Sequence, residues 1–142
     1  MQIETVEQRC LTYLQQVSNP IVPLSRLLAY LRQFPDCRDV DEGDLTDFLA
    51  KHELFRVFNP LPVDPHQARA LGISTDRRVI LTTRVPTRAE ARASMNEMLD
   101  SLGRALGTAL REANERDDDE LRRKAEHLMR RIEKIRADLA VQ

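Results

Sequence analysis

The chain has 142 residues, 42% of them hydrophobic, 32% charged and 4% aromatic, with no Trp. This balance suits a globular protein with long solvated helices and leaves few rings for an aromatic ligand pocket or a base-stacking platform. A net charge of −1 gives no global field toward nucleic acid or a lipid surface. No run of about 18 apolar residues occurs, and Met-Gln-Ile-Glu at the start is not a basic segment leading into an apolar one, so the expectation is a cytoplasmic protein with no membrane partner.

The first helix is expected from Glu4 to Val17, because Val6, Cys10, Tyr13, Leu14 and Val17 share one face and Asn19-Pro20 ends the pattern. An extended piece, Ile21-Val22-Pro23, leads into a second helix with Leu24, Leu27, Leu28, Leu31 and Phe34 inward, stopped by Pro35. Asp41-Glu42 announces a third helix, since carboxylates favour a helix N-terminus, and its inward positions are Leu45, Phe48 and Leu49. The period then changes. Leu54–Phe58 and Val79–Val85 are rich in β-branched and aromatic residues and read as strands. Between them, Asp64-Pro65 and Gly72 frame one short helix. Pro86-Thr87 marks the exit, with Thr87 able to cap a long helix beginning near Arg88.

Three helices followed by two strands, over residues 4–85, resemble the winged helix-turn-helix superfamily. The long connection from Phe58 to Val79 departs from a tight wing. The resemblance implies a head that binds duplex DNA or, in place of DNA, another protein.

Beyond the head run two repeats with spacings of four and three, Met95, Leu99, Leu102, Leu106, Ala109, Ala113 and then Leu121, Ala125, Leu128, Ile132, Ile135, Leu139. Such spacings keep one stripe on a helix and pack it lengthwise against another. The repeats do not share a phase, and the acids Asp117-Asp118-Asp119 suit a new helix start, so a hairpin of about Arg88–Ala113 and Asp118–Val141 is favoured over one continuous helix. The expected class is mainly α: a winged-helix-like α+β head over residues 1–86, then a helical hairpin or coiled coil over 87–142. Two hairpins are expected to form a four-helix bundle in a homodimer, with Met95, Leu99, Leu102, Leu106, Leu110, Leu121, Leu128, Ile132, Ile135 and Leu139 as dimerisation residues. Gly103 and Gly107 hint at close helix approach.

Chemistry is scarce. There is no Gly-rich phosphate loop, GxSxG, HExxH or paired CxxC, and His52, His66 and His127 stand apart from one another. Cys10 and Cys37 fit no zinc spacing and read as reduced thiols, and the acidic run from Asp36 to Asp47 does not align with a calcium loop. The expectation is a non-enzyme with neither metal nor cofactor.

Charge then divides two functions. Residues 1–60 hold six basic and nine acidic groups, a net of −3, whereas residues 61–92 hold six and three, a net of +3. A dimeric winged-helix transcriptional regulator would touch phosphates through Arg77, Arg78, Arg84, Arg88 and Arg92, with Thr46 and Lys51 available to base edges. The candidate recognition helix, Asp41–Glu53, opposes this, because it carries five acids against Lys51. The alternative is a non-catalytic interaction or scaffold protein whose head meets a basic partner through Asp41, Glu42, Asp44 and Asp47.

Overall fold

The computed structural model describes residues 2–59, 64–71 and 76–141. The chain is mainly helical, with a small three-stranded antiparallel sheet in its N-terminal part and a pair of long C-terminal helices. It divides into two compact units, Met1–Pro60 with Asp76–Ala91, and Leu61–Thr75 with Arg92–Gln142.

The first unit contains α1 (Ile3–Gln16), β1 (Val22–Pro23), α2 (Leu24–Leu31), a single 3-10 turn at Pro35–Cys37, α3 (Glu42–Lys51), β2 (Phe55–Phe58) and β3 (Arg78–Leu81). Each helix buries the stripe that its periodicity marks: Val6, Cys10 and Leu14 on α1, Leu24, Leu27, Leu28 and Leu31 on α2, Leu45 and Leu49 on α3. These meet Val22, Phe55, Val79 and Leu81 of the sheet in one core. Tyr13 stacks on Tyr30 at 4.6 Å, and Phe34 meets Tyr30 edge-on at 5.2 Å.

The sheet order is β1-β3-β2, with both pairings antiparallel. Val22 faces Val79 on one edge, and Phe55 faces Leu81 on the other. The extended piece before α2 is thus a strand, too short for an alternating pattern to reveal. The strand expected to reach Val85 instead ends at Leu81, where Arg84 N–H donates to the Leu81 carbonyl at 3.1 Å and turns the chain. Arg84 then reaches α1. Its guanidinium donates to the carbonyls of Leu14 (3.0 Å), Val17 (2.5 Å) and Ser18 (3.2 Å), satisfying backbone acceptors at and beyond the end of that helix.

Asp76 makes a matching bond at the start of α2. The α2 N-terminus has no side-chain cap of its own, and the Asp76 carboxylate accepts from Ser25 N–H (3.2 Å) and Ser25 Oγ (2.5 Å). Arg78, only 8% exposed, donates to the Asp76 carbonyl at 3.0 Å.

The second unit contains α4 (Pro65–Ala70), most of α5 (Arg88–Arg116) and α6 (Asp119–Val141). Asp64 caps α4 by accepting from His66 N–H at 3.0 Å, while Gly72, expected to end that helix, lies outside the described residues. Ala68 and Leu71 are buried with the seam of α5 and α6, so α4 belongs to this core although it lies between two strands of the other unit in sequence. Thr87 caps α5 as expected, and reciprocally: Glu90 N–H donates to Thr87 Oγ1 (3.1 Å), and Thr87 N–H to Glu90 Oε1 (2.9 Å).

The hairpin is present. Asp117 adopts φ +56°, the left-handed conformation that ends many helices, and Asp118 N–H returns to the Ala113 carbonyl at 2.9 Å. Asp118 then starts the next helix, its carboxylate accepting from Leu121 N–H at 3.1 Å. Arg122 bonds Asn114 at 2.9 Å and Arg136 bonds Asp100 at 2.6 Å. Fourteen residues separate the members of each helix (114 − 100 and 136 − 122), the equal steps of an antiparallel pair. Gly103 has only the Arg136 guanidinium 3.9 Å from where a Cβ would stand, and Gly107 has open space, so neither glycine is there for close helix approach.

Two outcomes follow from these contacts. Arg84→Ala is expected to cost about 2 kcal/mol, the scale of hydrogen bonds made by a charged group, with Arg84→Lys recovering only part; an unchanged urea midpoint would show that water serves those carbonyls equally well. Asp117→Gly should gain roughly 0.5–1 kcal/mol by relieving the left-handed backbone at a side chain's expense. A lower thermal midpoint for that variant would mean that the Asp117 carboxylate, 3.9 Å from Arg122, matters more than its backbone.

Candidate functional site

The residues expected to touch DNA differ in how far their polar atoms are engaged within the unit. Thr46 is 9% exposed and its hydroxyl donates to the Glu42 carbonyl at 2.8 Å, inside the helix, so it offers nothing to a base edge. Arg78 is buried against Asp76, and Arg84 is committed to the end of α1. Thr46, Arg78 and Arg84 thus each have polar atoms bonded within the unit. Lys51, Arg77 and Arg88 are exposed, and Arg92 is half-buried.

The dimerisation residues also change role. Leu99, Leu102, Leu106, Leu128 and Ile132 are at most 4% exposed in a single chain. Met95, Leu110, Leu121, Ile135 and Leu139 are partly buried against that same core. Within one chain the seam is thus formed between the two helices of the hairpin, with Met95, Leu110, Leu121, Ile135 and Leu139 keeping part of their surface in solvent.

The acids of α3 stay outside. Asp41, Glu42, Asp44 and Asp47 are all exposed, while Leu45, Thr46 and Leu49 turn inward. Asp41 has a local task, its carboxylate accepting from Asp44 N–H at 3.2 Å as the N-cap, and a Cβ at Gly43 would come within 3.0 Å of that carboxylate. Asp44, Asp47 and Lys51 recur every three or four residues and form one outward stripe, with Phe48 half-buried at its edge and packed against the core.

This stripe borders a cleft of about 450 Å³ lined by Ile3, Asp44, Asp47, Phe48, Lys51 and His52. Ile3, 57% exposed, is one of two large hydrophobic residues in that state among the described residues. Phe48 is held edge-on to His52 at 5.6 Å, and His52 packs on Phe55 at 4.8 Å. The His52 ring is fixed by both nitrogens: Nδ1 accepts from Leu54 N–H at 3.1 Å, and Nε2 faces Glu7 at 3.5 Å. The floor is aromatic and apolar, and the rim is mainly acidic.

The two cysteine thiols are held in the protonated form. Burial pushes the Cys10 thiol up to about 12, with nearby Cys37 adding to the shift, and Cys37 is raised as well, by burial first and Asp36 second. Both thiols are free and buried. Among the described residues, no group of three or more His, Cys, Asp or Glu side chains is placed to hold a metal ion, and no helix is long and apolar enough to cross a membrane.

No family model matches the chain, and no curated protein or solved structure matches it either.

The thiols supply a direct check on this part of the core. At pH 8 the Cys10 thiolate fraction is on the order of one in ten thousand, so iodoacetamide should leave the folded protein unmodified and alkylate both cysteines in urea. An exposed thiol ionises near 9.0, whereas Cys10 stays protonated to about 12. Its contribution to stability is therefore complete below pH 9 and lost as pH rises toward 12. Rapid alkylation of the native chain would overturn the burial.

Proposed function

We propose that this chain is a non-catalytic interaction protein whose winged-helix-like head binds a basic segment of a protein partner through the outer face of α3, with the hairpin as its scaffold. The single observation that carries this reading is the exposure of all four acids at the start and middle of α3, in a unit that turns Arg78 and Arg84 inward. The winged-helix resemblance gains support from the order helix, strand, helix, helix, strand, strand and from a sheet with β1 on one edge and β2 on the other.

Magnitudes decide against DNA for this face. A carboxylate brought to about 4 Å from a phosphate is repelled by roughly 1 kcal/mol in bulk water and about 4 kcal/mol at the effective dielectric of a protein surface. A recognition helix laid in the major groove by its outer stripe would bring Asp44 and Asp47 near two phosphate backbones. Lys51, Arg77 and Arg88 supply about three phosphate contacts, a small counterion-release term against that repulsion. A basic protein segment reverses the sign of every one of these interactions.

The test measures two ligand classes on one sample. Random-sequence duplex DNA should show no salt-sensitive binding at about 50 mM salt, and a partner captured from cell extract should be released when Asp44 and Asp47 are both changed to Lys. Tight duplex binding that collapses at about 200 mM salt would overturn the proposal and restore the DNA-binding regulator. A partner still held by the double variant would remove α3 as the docking surface.

A further inference from the structure

The cleft beside α3 has a feature that acidity alone does not explain. A helix N-terminus favours carboxylates within its first turn, which accounts for Glu42 and Asp44 and for the capping role of Asp41. Asp47 lies a turn further on, beyond the reach of that dipole, and Asp is a poor helix former. Its position next to Phe48, with Ile3 bordering the same cleft, places a charge at the edge of an apolar floor. Ile3 itself has most of its side chain in water on the first turn of α1, although a polar residue would serve that position equally well.

We propose, resting on the protein-partner reading above, that this cleft seats one apolar anchor residue of a basic amphipathic helix. Ile3 and Phe48 cover the anchor, while Asp44 and Asp47 pair with Lys or Arg residues on the same face of the incoming helix. A volume of about 450 Å³ accommodates one large side chain together with the stems of its neighbours, as in helix-in-groove recognition. Charge fixes the direction. Asp44 and Asp47 occupy the N-terminal and middle parts of the α3 stripe and Lys51 its C-terminal end, so the partner presents cations toward the first two and a neutral or acidic residue toward Lys51.

The experiment uses the full chain and synthetic helical peptides, labelled for fluorescence anisotropy, in which four arginines flank a single Leu, Phe or Ala anchor, with an all-Glu version of each. The Leu and Phe peptides should bind at least tenfold tighter than the Ala peptide, and the Glu versions should not bind. Ile3→Asp, at an exposed position that leaves the core intact, should weaken the Leu peptide at least tenfold without lowering the thermal midpoint. Asp44→Lys with Asp47→Lys should abolish binding. Binding that ignores the anchor and survives Ile3→Asp but is lost in the double reversal would overturn the anchored cleft and leave acidic docking standing. Binding unaffected by either variant, or no binding by any peptide, would overturn the cleft, and the capture experiment above would then decide the acidic face separately.

Discussion

The first unit depends on one guanidinium placed where backbone carbonyls run out of partners. A helix leaves its last carbonyls without intrahelical donors, and α1 ends in Val17-Ser18-Asn19 with no glycine to fold the chain back on itself. Arg84 supplies the missing donors from the far end of the sheet, at a separation of 66 to 70 residues. That contact fixes where the chain goes after β3, and the bond from Asn19 to the Glu90 carbonyl at 3.1 Å holds the start of α5 beside the same loop. It also decides surface charge. In the segment that carries a net of +3 in sequence, Arg78 is buried and Arg84 is half-buried against the end of α1, while α3 keeps its acids in solvent.

Helices were legible because burial leaves a periodic record: Val6, Cys10 and Leu14 on α1, Leu24, Leu27, Leu28 and Leu31 on α2, Leu45 and Leu49 on α3 and the centre of the α5 and α6 seam are buried where the spacing puts them, whereas Phe48 is only half-buried and Phe34 lies beyond the end of α2. The reversal between α5 and α6 was legible for a related reason: one phase of hydrophobic residues stops and another begins, with acids suited to a new N-terminus between them. What escaped is set by tertiary placement. β1 has two residues and is defined only by its pairing with Val79 and Arg78. The membership of α4 in the second core turns on Ala68 and Leu71, and two side chains on a six-residue helix make no pattern. At the start of α5 the sequence marks Thr87 as a cap, and Glu90, three residues on, is the second half of the reciprocal pair.

The site was less legible than the fold because a charged side chain has no periodicity that reveals its partner. Arg77, Arg78 and Arg84 look alike in a list of basic residues. In the structure Arg78 folds back to Asp76, Arg84 crosses to α1, and Arg77 is exposed while its backbone carbonyl accepts from Leu24 N–H at 2.8 Å. The leucines of the hairpin posed the same difficulty in apolar form. A stripe of fours and threes states that a helix has a neighbour and is silent on whether that neighbour belongs to the same chain; the Asp117 turn gives α5 a neighbour in its own chain by bringing α6 back along it.

An acidic helix face and an apolar cleft are weak signals apart and more specific together. Exposed carboxylates attract any cation, so their contribution is mainly to association rate and orientation, and salt screens it over roughly 10 Å. An apolar floor gives the opposite balance: burying one leucine-sized side chain contributes roughly 1.5–3 kcal/mol, with little regard to direction. Phe48, next to Asp47 on α3, and Ile3, on α1, supply that second term in the cleft that Asp44 and Asp47 also line, and the His52 ring, held by Leu54 and Glu7, fixes the aromatic wall before any ligand arrives. A wall already ordered costs no side-chain entropy on binding, so more of the anchor's burial is available as affinity. On the proposed reading the same residues select among proteins, because a partner must present cation and apolar group on one side of one helix to satisfy both.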